Sequence, residues 1–279
     1  MLDLSAIILT KNESKNIKQC IDSIKNFVER IVVIDSGSSD DTVKLSKMMG
    51  ADVYEHPFEN YSKQFNWGLD NTDIKTTWTL RIDADERFTP NLFNEVKSII
   101  NNTTDPNMNG IILEADLFFL GKLIKHGGSK KRKLMIFRTG YGRIENRNMD
   151  EHTILSEGYS VKAKNKFLHY DFKDLTFFID KLNWYATREV QDYIDMQGNE
   201  NLIHLADREI QKTRKKKFYI YYKFPMFFRS WLLFIYFYIF KLGFLDGREG
   251  FIYHYMYQRW YRCLVDSKIY ENKKHGKTN

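Results

Sequence analysis

The sequence predicts an α/β fold: a mixed, mostly parallel sheet flanked by helices, followed by an aromatic-rich helical C-terminal region. Three observations carry this. As far as Gly140, short β-prone apolar runs alternate with stretches of helical periodicity. Several of those runs end in carboxylates or hydroxyls, as ligand-binding strand ends of parallel sheets do. The last third then changes to a basic cluster and dense aromatics.

The elements follow in order. Leu4 to Thr10 (LSAIILT) reads as the first strand, and Ile17, Cys20, Ile21, Ile24 and Phe27 recur at helical spacing. Arg30 to Gly37 (RIVVIDSG) is the second strand. Ser38 with Asp41 three positions on resembles a capping box for the next helix, which Gly50 would end. ADVYEH is a third strand. Tyr61, Phe65 and Leu69 mark a helix, and TWTLRIDAD a fourth strand. Thr89-Pro90 opens another helix in the cap-then-proline arrangement. NGIILEADLFFLG and KLMIFRT are later strands, and residues 141 to 170 read as charged loop. From Asp174, Leu175, Phe178, Ile179, Leu182, Tyr185, Ala186, Val190 and Tyr193 trace one helical stripe.

Composition bounds the function. With 279 residues and 43% hydrophobic content, the chain can bury a large core. Its net charge of +7 favours an anionic partner. The basic residues lie beside aromatics and no RNP-like or helix-turn-helix signature appears, which argues against nucleic acid. Cys20 and Cys263 are the two cysteines, without zinc-type spacing. The N-terminus reads as a strand and not as a signal peptide, so a cytoplasmic location is expected. No G-x-G-x-x-G follows the first strand, which disfavours a dinucleotide-dependent dehydrogenase.

The chemistry concentrates at strand ends. Thr10, Lys11, Asn12 and Glu13 close the first strand, Asp35 to Ser38 the second, and Asp83, Ala84 and Asp85 the fourth. Asp83, Asp85 and Glu86 crowd three like charges together after an apolar run. Hard divalent cations such as Mg²⁺ or Mn²⁺ take oxygen ligands, commonly one or two carboxylates together with substrate phosphates. A D-x-D at a strand end therefore suits a metal-bound diphosphate.

IILTKNESKNI, VVIDSGSSDDT, WTLRIDADERF and NMDEHTILSEG together resemble the inverting family 2 glycosyltransferases with the GT-A nucleotide-sugar fold. The resemblance is closest to bacterial members building lipopolysaccharide core, capsule or exopolysaccharide. FLHYDFKDLTFFIDKLNWYATREV and FFRSWLLFIYFYIFKLGFLDGREGF look like the tail of that subgroup. The resemblance implies a nucleotide-sugar site at Thr10, Glu13, Asp35, Lys63, Asp83 and Ala84, with Asp35 on a uracil-type base. It implies Asp85 as the direct metal ligand, Asp83 near the ribose or metal, and His169 completing the metal site or touching the diphosphate. Inversion needs a base for the acceptor hydroxyl; Asp150 and Glu151 match that motif, with Glu151 favoured. Glu86 is expected to orient the loop and His152 to support it. Arg132 and Lys133, in GSKKRK, read as a solvated charge run rather than a diphosphate clamp.

The domains expected are a catalytic domain over 1–170, an amphipathic helical extension over 171–213, and a membrane-associating region over 214–279. Ser230 to Phe240 is the longest uncharged run of that region at 11 residues, short of the roughly 20 that span a bilayer. Phe218 to Leu245 is therefore expected to lie on the membrane, with the basic residues Arg214 to Lys217 beside it. The function expected is metal-dependent transfer of a sugar from a UDP-sugar to a lipid-linked glycan on the cytoplasmic face of the inner membrane, with Mn²⁺ or Mg²⁺ as cofactor. Transfer to a polyprenyl phosphate and a non-catalytic scaffold are the alternatives; the MDEH motif and the intact acids argue against them.

Overall fold

The computed structural model describes residues 1–128, 131–146, 151–170, 174–198 and 220–275. The chain divides into two compact units. The first comprises Met1–Leu117, Lys130–Asn146 and Glu151–Asp171; the second comprises Phe118–Ser129, Arg147–Asp150 and Phe172–Asn279. The first ends one residue past the expected boundary, but it gives up the excursion after Leu117. The expected divisions 171–213 and 214–279 fall within one unit.

In the first unit, β1 (Leu2–Thr10), β2 (Val28–Asp35), β3 (Asp52–Glu55) and β4 (Trp78–Asp83) form a parallel half-sheet. The two-residue β5 (Glu86–Arg87), β6 (Met108–Phe119), β8 (Arg132–Arg138) and β11 (Tyr159–His169) complete the order β3-β2-β1-β4-β8-β6-β11-β5. β8 runs antiparallel to β4 and β6, so the sheet is mixed. A small ribbon of β9 (Gly142–Ile144) and β10 (Thr153–Leu155) lies apart from it.

Alternation along the strands builds a core on each face. Ala6, Ile8, Ile31 and Val33 pack with Ile17, Cys20, Ile21 and Ile24 of α1 (Ile17–Ile24) and with Leu92, Phe93 and Val96 of α4 (Pro90–Asn102). Ile7, Val32 and Ile34 pack on the other face with Phe65 of α3 (Tyr61–Asn71), Phe137 and Ile144. Gly68 lets α3 lie close: a Cβ there would meet Ile34 Cγ1 at 3.1 Å.

Two expectations are corrected. The helix α2 (Thr42–Met48) starts later than a cap at Ser38 implies, because the Ser38 hydroxyl is committed to Asp35. Asp40 instead receives the Thr42 amide at 3.0 Å. The stretch 141–170 is not loop but contains β9, β10 and the eleven-residue β11. Its lysines disguise the strand: Lys162 and Lys166 answer Glu114 and Asp116 on the parallel neighbour β6.

In the second unit, β7 (Lys122–Leu123) pairs with the end of β6, and α5 (Leu175–Gly198) buries Phe178, Leu182, Ala186 and Val190 along one stripe. α6 (Phe228–Ile235) continues as a π-helical turn over Tyr236–Phe240. α7 (Gly247–His254) runs through a second π-turn, Tyr255–Trp260, into α8 (Tyr261–Lys274). Buried polar pairs tie these together. Glu189 of α5 accepts from Tyr222, Tyr261 and Arg262. Arg229 donates through Nε to Asp266 at 2.9 Å, both buried. Among the described residues no single helix is long and apolar enough to cross a membrane. Phe228–Phe240 and Gly243–Lys274, bent by 71°, meet the length and composition test only as a pair.

Candidate functional site

The parallel register sets the acids side by side. Thr10 pairs with Asp35 across β1 and β2, and Leu9 with Asp83 across β1 and β4. The two loops that follow β1 and β2 are laced together. Asp35, 1% exposed, accepts from Thr10 Oγ1 (2.8 Å), Ser38 Oγ (2.6 Å), and the amides of Gly37 (2.9 Å) and Ser38 (2.7 Å). Asn12 donates its amide to Ser38 Oγ, and the amide of Glu13 donates to Thr42 Oγ1. Lys11 Nζ reaches the carbonyls of Ser36 and Gly37. Gly37, at φ +78°, supplies a turn that L side chains resist. Asp35 thus organises the loop expected to meet a base.

The D-x-D turn is a dense charge network. Asp83 Oδ1 accepts from the Tyr61 hydroxyl at 2.5 Å and Oδ2 from Lys133 Nζ at 2.7 Å. Glu86, fully buried, accepts from Lys133 Nζ at 2.6 Å and from the Asp83 amide at 2.9 Å. The last bond fulfils the expectation that Glu86 orients the loop. Burial opposes the charge on Asp83, but Lys133 and Arg81 outweigh it and hold its pKa down at about 2. Burial likewise works against the Lys133 ammonium, and Asp83 and Glu86 overcome it, holding Lys133 above the usual lysine range. Burial raises Glu86. Lys133 is therefore no solvated charge. The register Trp78–Arg138 and Leu80–Ile136, extended along β4 and β8, brings it beside Asp83.

Ala84 is buried in the turn, its carbonyl receiving Arg87 Nη1 at 2.6 Å. Asp85 follows, its carbonyl accepting the Tyr170 amide. His169 pairs with Glu86 across β11 and β5, which brings its Nε2 to 3.5 Å from Asp85 Oδ2. His169 is 7% exposed, and its Nδ1 makes no hydrogen bond among the described residues. One ligand atom from each of Asp85, Glu86 and His169 lies within 4.8 Å of the others. Two carboxylates and an imidazole suit Mn²⁺ or Mg²⁺, and the unpartnered buried imidazole nitrogen fits a site organised for a further ligand.

Asp83 is also tied to the segment carrying Glu151. Arg81 Nε donates to the Tyr61 hydroxyl at 3.0 Å, and its Nη1 to Thr153 Oγ1 at 3.2 Å. Thr153 opens β10, two residues after Glu151. The His152 amide donates to Glu145 Oε1, fixing the start of β10. Asp150 lies outside the described residues. Lys63 does not join the acids: it stands exposed on α3, paired with Glu59 at 2.5 Å. Its helix contributes Tyr61 instead.

Tyr61 and Arg81 are the residues that sequence reasoning passed over, and Lys133 the one it read as solvated. Arg81 had a signal, being a charge in the middle of a buried strand. Tyr61 lies two positions from Lys63, on a turn whose cap, Asn60 accepting the Lys63 amide, faces it inward. Nothing in the sequence pointed Lys133 to its acidic partners, because they are set by a long-range antiparallel register.

The family model "Glycosyl transferase family 2" matches residues 5–156. The chain is 26% identical over 277 residues to the lipopolysaccharide core biosynthesis glycosyltransferase LpsC of Rhizobium meliloti, covering 97% of this chain and 93% of that one. An uncharacterised glycosyltransferase of Rickettsia prowazekii is 26% identical over 226 residues, 75% of this chain and 74% of its own. Among solved structures, glucosyl-3-phosphoglycerate synthase of Mycobacterium tuberculosis, in complex with Mn²⁺, UDP and glucosyl-3-phosphoglycerate, is similar at 23% identity. That likeness has a TM-score of 0.33 and covers 41% of this chain and 44% of that one, so it spans less than half of either.

Proposed function

The chain belongs to glycosyl transferase family 2, and on that premise we propose that it moves a sugar from a UDP-sugar to a hydroxyl of a lipid-linked glycan in surface lipopolysaccharide synthesis. The observation that carries the reading is the convergence of Thr10, Asp35 and Asp83 at one edge of the sheet, with Asp85 following at the end of β4 and the segment that carries Glu151 tied in through the Arg81–Thr153 hydrogen bond. The likeness to LpsC along nearly the whole chain supports the pathway.

Asp85 and His169, beside Glu86, are the residues that would hold Mn²⁺ or Mg²⁺. A cation bound there supplies positive charge to a leaving diphosphate. Thr10, Glu13, Asp35 and Ala84 shape the nucleotide end of the cleft, and Asp83 accepts hydrogen bonds from ligand hydroxyls or from Tyr61. Glu151 takes the acceptor proton during in-line attack at the anomeric carbon, and a carboxylate in that role gives inversion in one step. Tyr61 and Arg81 keep the donor and acceptor sides in fixed relation.

The acceptor's lipid accounts for the second unit. Phe228 (57% exposed), Trp231, Ile235, Ile239, Phe240 (72%), Phe244 and Leu245 (55%) are apolar side chains left to solvent. Lys223, Lys241 and Arg248 accompany them in sequence, the composition of a surface that sits at anionic headgroups. The enzyme is proposed to work on the cytoplasmic face of the inner membrane. The basic cluster Arg214 to Lys217 and the start of the expected membrane segment, Phe218 and Tyr219, lie outside the described residues.

Donor hydrolysis tests the reading. Purified protein with Mn²⁺ is expected to release UDP slowly from one of UDP-glucose, UDP-galactose or their N-acetyl forms. Absence of UDP release and of any thermal shift with all four sinks it.

A further inference from the structure

Three arginines serve the packing of α5, α6 and α8 in the second unit, and they are partnered unequally. Arg229 of α6 donates to Asp266, and Arg262 of α8 to Glu189. Arg259, in the π-turn Tyr255–Trp260 that leads into α8, has no carboxylate partner among the described residues. Its Nη1 donates to Ser230 Oγ at 3.1 Å, its guanidinium lies 4.4 Å from the ring centroid of Trp231, and its Nε is buried without a partner. Ser230 is itself buried and gives its hydroxyl hydrogen to the Phe227 carbonyl. A neutral oxygen and an indole face therefore hold the guanidinium, and its charge is left uncompensated. The neighbouring sequence has no spare acid. From Ile220 to Ser267 it holds three carboxylates, and each is committed: Asp246 to His126, Glu249 to Lys122, Asp266 to Arg229.

The surroundings indicate which anion fits. Trp231 belongs to a stripe of exposed apolar side chains, Phe228, Trp231, Leu232, Ile235, Ile239 and Phe240, at helical spacing along α6 and its π-turn. The side chains α6 buries are Arg229, Ser230 and Phe234, so most of its apolar surface points away from the core. A soluble anion gains nothing from that stripe. A phosphate carried on acyl chains puts its charge at the guanidinium and its hydrocarbon beside the stripe. A guanidinium fork matches phosphate oxygens, and stacking on an indole keeps the fork in one plane.

We propose that Arg259, stacked on Trp231 and held by Ser230, is a built seat for the phosphate of an anionic lipid headgroup. The inference rests on the membrane reading of this unit, and it goes further by placing one directional contact within a general affinity for headgroups. Lys223, Lys241 and Arg248, all exposed, supply attraction without direction.

The test floats the full chain with vesicles of phosphatidylcholine, alone and with increasing phosphatidylglycerol. Arg248→Gln and Arg259→Gln remove the same charge. On the anionic vesicles Arg248→Gln is expected to lose about fivefold in binding, the worth of one basic residue near such a surface. Arg259→Gln is expected to lose at least about twentyfold, because a charged hydrogen bond goes with the charge. That loss is expected to shrink on pure phosphatidylcholine, whose ammonium already neutralises the phosphate. Equal losses from the two variants overturn the proposal. If Arg259→Gln proves unstable, Arg259→Lys decides: it keeps the charge without the fork and is expected to bind severalfold more weakly, and native binding by it overturns the proposal. Inorganic phosphate separates the sources. It is expected to protect the native chain from heat no better than it protects Arg259→Gln. Protection of the native chain alone, with no difference between the two on vesicles, assigns the seat to a free anion and overturns the lipid assignment. Native protein that floats with neither vesicle strikes the membrane reading and this seat with it, whereas native flotation with equal losses strikes the seat alone.

Discussion

The Tyr61 hydroxyl donates to Asp83 Oδ1 at 2.5 Å and itself accepts from Arg81 Nε at 3.0 Å. This bond turns the first acid of the D-x-D with a side chain from a different helix. Tyr61→Phe removes the donor and leaves the ring under Arg81, whose guanidinium lies 4.6 Å from the ring centroid. Loss of one hydrogen bond to a charged group costs about 1.5–3 kcal/mol. UDP affinity, read by calorimetry with Mn²⁺ present, is expected to fall about tenfold while the fold persists. Native affinity in the variant would detach Tyr61 from the donor site.

Glu151→Gln separates binding from chemistry. The amide cannot take the acceptor proton, so transfer should fall by about 10²–10⁴-fold, the usual worth of a general base. Donor binding should be unchanged. Transfer at the native rate would move the base role to Asp150.

Phe240→Glu combined with Leu245→Glu places two charges on side chains that are 72% and 55% exposed, so folding should be spared. Burying one such side chain in an apolar phase is worth about 1.5–3 kcal/mol. Flotation with phosphatidylglycerol vesicles should therefore drop at least about tenfold. A double variant that floats like the native chain removes this face from membrane contact.

Asp266→Asn strands Arg229. Both side chains are buried, and Asp266 Oδ2 also accepts the Phe227 amide, where the backbone sits at φ +64°. Breaking one side of a buried pair costs about 3–5 kcal/mol. A drop of many degrees in melting temperature is expected. Replacing both partners, Arg229→Met with Asp266→Leu, should recover most of the Arg229 share, because no charge is then left buried and alone.

His254 ties stability to pH. It is fully buried, its Nε2 lies 3.3 Å from the His126 carbonyl, and its Nδ1 has no partner among the described residues. Burial lowers its pKa from the ordinary 6.5, against weaker upward pulls from the His126 carbonyl and Asp246. The unfolded chain therefore takes the proton first as pH falls. The contribution of His254 is fully present above pH 6.5 and is lost as pH drops from there through the folded value. Thermal melts from about pH 7.5 down to about pH 5.5 should show a steeper loss for the native chain than for His254→Gln. Parallel losses would exclude His254 as the source.

The parallel half of the sheet was legible because its evidence is local. LSAIILT, RIVVIDSG and TWTLRIDAD each carry strand composition and their own polar stop. Parallel pairing then puts the stops at one edge, so Thr10, Asp35 and Asp83 were found together. The antiparallel half was not legible in that way. Lys133 and Arg132 belong to one run of basic residues, yet one is locked between two acids and the other pairs with Glu114 at the sheet surface. Only the register of β8 between β4 and β6 decides which. β11 was missed because its lysines look solvated in isolation, while Glu114 and Asp116 on β6 give them partners. Tyr61, on the same turn as Lys63, was not legible as a partner of Asp83, because a neutral hydroxyl carries no charge signal in the sequence.

The four hydrogen bonds accepted by Asp35 have a thermodynamic consequence for whatever enters the cleft. The Gly37–Ser38 turn reaches its working shape when the chain folds, so the conformational entropy of that segment is lost then and not at encounter. A ligand arriving there meets a mould already set. Its binding then carries no cost of ordering that loop, and weakening the Thr10 or Ser38 hydroxyl should show as slower, looser capture well before it shows as lost stability.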